Sequence, residues 1–218
     1  MIEEIIEKSK DAAIRDRLLS TAMKEFLQFG FSRISMDDLA TTMGMSKKTL
    51  YKYFPSKEEL VRAVIELRKH RVGQLMAFIE TKVPKHAFGE KIVQVSQKVA
   101  ESLSEIQPHA LYDLKRSFPV IFEDYEAFRK ESIIKGFTAA LHEGRASGVF
   151  RDDIPIDIAV QVHLTLISTL LNPEYLAGQQ YTPMQMFTMI LKCTMEGVCT
   201  TKGRSTIEAS LFTIPPQS

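Results

Sequence analysis

Twice between Ser35 and Pro55 the chain signals the start of a helix, and twice it signals an end. Ser35 stands before Met36-Asp37-Asp38. A serine in that place can accept a hydrogen bond from an unpaired amide of the first turn, and acids there meet the positive end of the helix dipole. Leu39, Ala40 and Met43 supply the apolar side of this first short helix, and Gly44 closes it. Only Met45 separates Gly44 from Ser46, the next cap. A second short helix is expected from about Lys47 to Tyr53. Pro55 cannot continue it and disfavours helical geometry at Phe54. Ala40 and Gly44 are small where two helices must approach closely. Two short helices across a tight glycine turn, after a longer helix, outline a helix-turn-helix.

The flanks agree. After a polar lead-in over residues 1–10, the spacing predicts a helix over about Asp11–Phe29, with Ile14, Leu18, Ala22, Phe26 and Phe29 on one stripe and Gly30 as its cap. Ser56 and Glu59 form a capping-box pattern opening a long helix to about Ile79. A helix that enters a major groove about 12 Å wide needs polar or short side chains outward and apolar anchors inward. Lys47, Lys48, Thr49 and Lys52 form the outward set, and Leu50, with Met45 and Phe54, the inward one. Tyr51 and Tyr53 can reach the backbone or bases while packing along their rings. Between Ser46 and Lys57 lie four lysines and no acid. Such a patch suits phosphate, although a solvated face would look the same by charge alone.

Whole-chain charge is uninformative at +1, but Met1–Arg71 carries 14 basic against 11 acidic residues and the remainder 14 against 16. The hydrophobic fraction of 44% is enough for a sizeable core. Further helices are expected at about 90–105, 110–124, 126–145, 155–171 and 183–199, with breaks or kinks marked at Gln107-Pro108, Phe118-Pro119, 144–153 and Asn172-Pro173. The fold class is therefore all-α. Residues 1–56 are read as the DNA-binding domain, 57–80 as a connecting helix, 81–201 as a second domain, and 202–218 as a loosely held tail containing Pro215-Pro216. No secretory signal opens the chain, and Ala159–Leu171 is too short and too interrupted to span a membrane, so a cytoplasmic location is expected. Cys193 and Cys199, six apart, read as small reduced hydrophobes rather than a metal or disulfide pair.

The sequence resembles the tetracycline-repressor (TetR) family of regulators. The resemblance is carried by Ala22, Phe26 and Gly30, then Ser35-Met36-Asp37-Asp38-Leu39-Ala40, Gly44-Met45-Ser46, Thr49-Leu50-Tyr51-Lys52-Tyr53-Phe54 and Ser56-Lys57-Glu58-Glu59-Leu60. It departs mildly at Leu39, at Met43 and at Lys48, where many members carry glycine. It implies that Ser46 caps the recognition helix, and that Lys47, Lys48, Thr49, Tyr51, Lys52 and Tyr53 face DNA, Tyr51 and Lys52 chiefly at phosphates. Ser35 joins this DNA-binding set, and Lys57 would grip the backbone beside the amide end of the long helix. Double-stranded operator DNA is the implied partner.

The C-terminal half carries no comparable motif. Helices 155–171 and 183–199 are apolar on more than one side, which calls for burial on both. A second copy of the chain is the expected cover, with Leu164, Leu170, Phe187, Leu191 and Val198 at the interface. The resemblance implies the same, as a four-helix bundle. A mainly apolar pocket is expected to be lined by Phe78, Tyr112, Phe118, Phe122, Phe137 and His163, for an apolar or aromatic effector. The alternative is a constitutive or partner-controlled regulator without a pocket. Against an enzyme stand the missing H-E-x-x-H, G-x-S-x-G and phosphate-loop signatures and the scatter of His70, His86, His109, His142 and His163. No cofactor or metal is expected.

Overall fold

The computed structural model describes residues 2–81 and 83–211, and every regular element among them is helical. Four helices make the N-terminal part: α1 (Ile2–Phe29), α2 (Met36–Thr42), α3 (Lys47–Tyr53) and α4 (Lys57–Glu80). The segment expected as a polar lead-in is already helical from Ile2. The predicted caps form. The Asp38 amide donates to Ser35 Oγ at 3.1 Å and the Ser35 amide to the Asp38 carboxylate at 2.8 Å, a reciprocal box. Ser46 Oγ accepts from the Thr49 amide at 3.1 Å, and Ser56 Oγ from the Glu59 amide at 3.2 Å. Gly30 and Gly44 sit at φ +101° and +64°, left-handed conformations in which a side chain is strained.

A short 3-10 turn, Lys85–Ala87, leads into α5 (Phe88–Ser104), followed by α6 (Pro108–Ser117) and α7 (Pro119–Ala146). Here the expected helix over 110–124 is corrected. The chain breaks at Phe118, whose φ of −138° and ψ of 61° leave helical space ahead of Pro119, and α7 then runs unbroken past residue 125. The remaining helices are α8 (Ile156–Leu170), the short α9 (Pro173–Ala177), α10 (Pro183–Val198) and α11 (Thr201–Leu211). The last overturns the expectation of a loose tail from residue 202. α11 packs along α5, Ile207 is fully buried, and Arg204 donates to the Glu196 carbonyl at 2.9 Å. Pro215-Pro216 lies outside the described residues.

Apolar packing divides the molecule into two clusters. The first joins Leu18, Phe26 and Phe31 to Leu39, Leu50 and Leu60, and also takes in Leu114 of α6 and Ile121 and Phe122 of α7. The second gathers α5, the later part of α7, α8, α10 and α11. Two long helices, α4 and α7, pack against each other; α7 contributes to both clusters and α4 to the first. Among the described residues no helix is long and apolar enough to cross a membrane.

Candidate nucleic-acid interface and ligand cavity

α3 is fastened from beneath by Leu50, fully buried, and by Phe54, over which the Arg15 guanidinium lies 5.2 Å from the ring centroid. That orientation leaves Lys47, Lys48, Tyr51 and Lys52 exposed, and Thr49 and Tyr53 partly so. The exposed lysines are not equivalent. Lys47 pairs with Asp37 at 2.5 Å, and Lys52 lies 3.8 Å from Asp11, whereas among the described residues Lys48 has no acidic partner. Tyr53 donates its hydroxyl to Asp11 Oδ1 at 2.6 Å, and this hydrogen bond to a carboxylate raises its pKa. Ser35 is occupied in its cap, and its hydrogen bonds hold the Asp38 carboxyl below its ordinary pKa. Lys57 is half-buried and donates to the Ser32 carbonyl at 2.9 Å; desolvation lowers its pKa despite Asp113 and Asp38 nearby. To meet a phosphate it must leave that carbonyl.

The loop after α1 is also tied to the C-terminal half. The Ser32 amide donates to Asp113 of α6 at 2.5 Å, and the Gln107 amide, just before α6, donates to the Leu27 carbonyl at 3.0 Å. Gly30 is required here for a second reason, because a Cβ on it would stand 2.9 Å from the Asp113 carboxylate. The sequence offered no sign of this junction.

The second cluster borders a half-open cavity of about 210 Å³ walled by α4, α5, α7, α8 and α10. Val72, Leu75, Met76 and Ile79 form the α4 wall, a stripe at helical spacing. His163 of α8 and Phe137 of α7 line it as expected, with their rings stacked at a centroid distance of 4.1 Å and 21° between planes. Burial lowers the His163 pKa to about 4, so the imidazole is neutral near pH 7, and among the described residues its Nδ1 has no hydrogen-bond partner. Charged groups at the margins are paired. Lys91, almost wholly buried, pairs with Glu143 at 2.7 Å and donates to the Thr81 carbonyl at the end of α4. Arg68 donates to the Tyr125 hydroxyl at 3.0 Å and to the Ser102 carbonyl at 3.2 Å.

The other expected lining residues are corrected. Phe78 is half-buried on α4 but turned off the stripe that faces the cavity. Tyr112 is exposed on α6. Phe118 and Phe122 pack into the first cluster, because the break at Pro119 puts them at the start of α7. The expected interface residues are corrected too. Phe187, Leu191 and Val198 are buried in their own chain, and the first two line the cavity. Leu164 and Leu170 stay partly exposed. The outward apolar residues are instead Ile158 and Val162 of α8, 54% and 51% exposed, and Met189 of α10 at 46%. The apolar spacing of α10 announced two buried sides but not that one of them faces a void.

Residues 18–64 match the family described as bacterial regulatory proteins, tetR family. The chain is similar to the uncharacterized HTH-type transcriptional regulator YvaF of Bacillus subtilis (strain 168), 28% identical over 184 residues, covering 84% of this chain and 94% of that one. It is 38% identical over 82 residues to the HTH-type transcriptional regulator RutR of Escherichia coli (strain K12), covering 37% of this chain and 39% of that one. Its fold is similar to that of a TetR family transcriptional regulator from Agrobacterium tumefaciens, with a TM-score of 0.65 at 16% identity, covering 87% of this chain and 99% of the other.

Proposed function

From the premise that this chain belongs to the TetR family of helix-turn-helix regulators, we propose that it is a cytoplasmic repressor whose homodimer binds an inverted-repeat operator and is released by a small apolar effector. The observation that carries the reading is the span of α4. Its first turn holds Lys57 beside the reading head, and further along the same helix Val72, Met76 and Ile79 wall the cavity. A ligand that fits the cavity only with α4 displaced would move both heads of a dimer. The ties from Ser32 to Asp113 and from Gln107 to Leu27 offer a parallel route through α6. A constitutive regulator has no use for an apolar void of this size, since empty volume destabilises a core.

DNA contact falls to Lys48, Thr49, Tyr51 and Lys52 on α3, with Lys47, Tyr53 and Lys57 released from Asp37, Asp11 and Ser32 as the phosphates arrive. The dimer surface is the outward face of α8 and α10, at Ile158, Val162 and Met189 with Leu164 and Leu170 at its margin. Two-fold symmetry then requires half-sites about one helical turn apart, roughly 34–36 Å. The test pairs two measurements: operator affinity with and without a ligand, and ligand affinity with and without operator. Linkage demands the same factor in both directions. A ligand that occupies the cavity and leaves operator affinity unchanged removes the sensing half of the reading. Sedimentation that finds a monomer at micromolar concentration removes the dimer.

A further inference from the structure

Resting on the reading of the cavity as a ligand site, we propose that its ligand is an uncharged, mostly apolar molecule of about two fused rings bearing one hydroxyl, which hydrogen-bonds to His163 Nδ1. Four observations converge on that chemistry.

Size is the first. An apolar cavity of about 150 Å³ accepts one benzene ring. At about 210 Å³ this one has room for a two-ring frame. The nature of the walls is the second. Val72, Met76, Ile79, Ile92, Phe137 and Leu191 make the lining mostly apolar, and the hydroxyls of Ser96 and Ser132 donate to carbonyls of their own helices.

The third is the state of His163. It is 5% exposed, yet Nδ1 has no partner among the described residues. A buried nitrogen without a hydrogen bond is uncommon, because it forfeits its water and receives nothing in exchange. The stack on Phe137 holds the ring plane, and the unmade bond lies in that plane. A neutral imidazole nitrogen is a donor or an acceptor according to tautomer. A hydroxyl serves either, since it both donates and accepts; a ketone or an ether serves only one.

The fourth observation weighs against charge. Lys91 is held by Glu143 at 2.7 Å. Arg129 holds Glu126 through Nη2 at 2.9 Å, with its Nε 2.8 Å from the same carboxylate though out of line for a hydrogen bond. Arg68 donates to Tyr125 and Ser102 and lies 3.9 Å from the Glu105 carboxylate. A ligand carboxylate would have to break one of these pairings, and a ligand cation would meet arginines and lysine with no spare acid.

The probes are naphthalene, 2-naphthol and 2-naphthoate, which share one frame and differ in a single group. Binding to the full chain is followed by quenching of probe fluorescence and by calorimetry. The expected order is 2-naphthol tightest, by ~10-fold over naphthalene, with 2-naphthoate weakest. His163→Phe should keep naphthalene binding and erase the preference for 2-naphthol, while His163→Gln, which restores a hydrogen-bonding group, should recover part of it. Circular dichroism verifies that each variant is folded. Tightest binding by 2-naphthoate overturns the proposal, as does a hydroxyl preference that survives in His163→Phe, or no binding of any probe. Operator release is measured separately. A His163-dependent preference without loss of operator affinity would uphold the ligand chemistry and defeat the regulatory reading.

Discussion

The reading head and the cavity region are both built of buried aliphatic and aromatic side chains, but they are organised by different forces. In the head, three serine caps and two left-handed glycines set the helix ends, and each acts on amides within four residues of itself. In the cavity region, α5, α7 and α8 have no side-chain cap and α10 opens on the Thr182–Gln185 capping box, and the positions of all four follow from packing between segments far apart in sequence. A region specified locally can be filled tightly and keep one shape. A region specified by long-range packing can retain a void and a few unsatisfied atoms.

That contrast can be broken by substitution. Phe26 is fully buried in the head and stacks on Phe31 at 5.1 Å. Phe26→Ala should cost about 3–5 kcal/mol in urea unfolding monitored by circular dichroism. Leu191→Phe enlarges a residue that already faces empty space, and should cost less than about 1.5 kcal/mol while weakening ligand binding. Comparable losses from the two changes would erase the distinction between a filled and a hollow core.

Acid sharpens the comparison, because its effect should come from the hollow side. His163 has a folded pKa of about 4 against an ordinary 6.5. Below 6.5 the unfolded chain takes up a proton that the folded chain refuses, so stability is complete above that pH and declines as pH falls toward 4. The decline from this one group is roughly 3 kcal/mol, since each pH unit separating the folded and unfolded values is worth about 1.4 kcal/mol. His163→Phe should flatten the wild-type stability profile between pH 6.5 and 4; an unchanged slope there would contradict the burial of the ring as a neutral base.

Smaller effects belong to the head. Ser46→Ala removes the acceptor of the Thr49 amide and should cost ~1 kcal/mol, with operator affinity falling further because the recognition helix frays. Stability equal to that of the parent would mean that the cap is redundant. Least perturbing to the fold is Lys48→Ala. Lys48 is exposed and has no acidic partner among the described residues, so stability should not move, while the slope of log affinity against log salt should drop by about one. Lys57→Ala should lower that slope only if its bond to the Ser32 carbonyl opens on DNA.

How legible each region was follows from the same physics. Ser35, Gly44, Ser46 and Pro55 pointed to the ends of α2 and α3 because caps and turns are short-range. The inward turn of Leu50 was equally readable, since a short helix has only one apolar side to bury. Phe137 and His163 were picked out as aromatic or polar residues on apolar helices, but so were Tyr112, Phe118 and Phe122, which lie elsewhere. Nothing in composition separates the two groups.

The all-helical class, the helix-turn-helix and the side of α3 left exposed follow from sequence alone, because periodicity, caps and proline breaks act within a turn or two of chain. Only the tertiary structure decided that Leu191 faces a void while Ile158 and Val162 face outward, that Ser32 is tied to Asp113, and that α11 docks on α5. Those outcomes depend on the relative rotation and separation of helices remote in sequence. A side chain reports only that it prefers burial; which neighbour buries it, and whether that neighbour leaves a gap, is a property of all the helices around it at once.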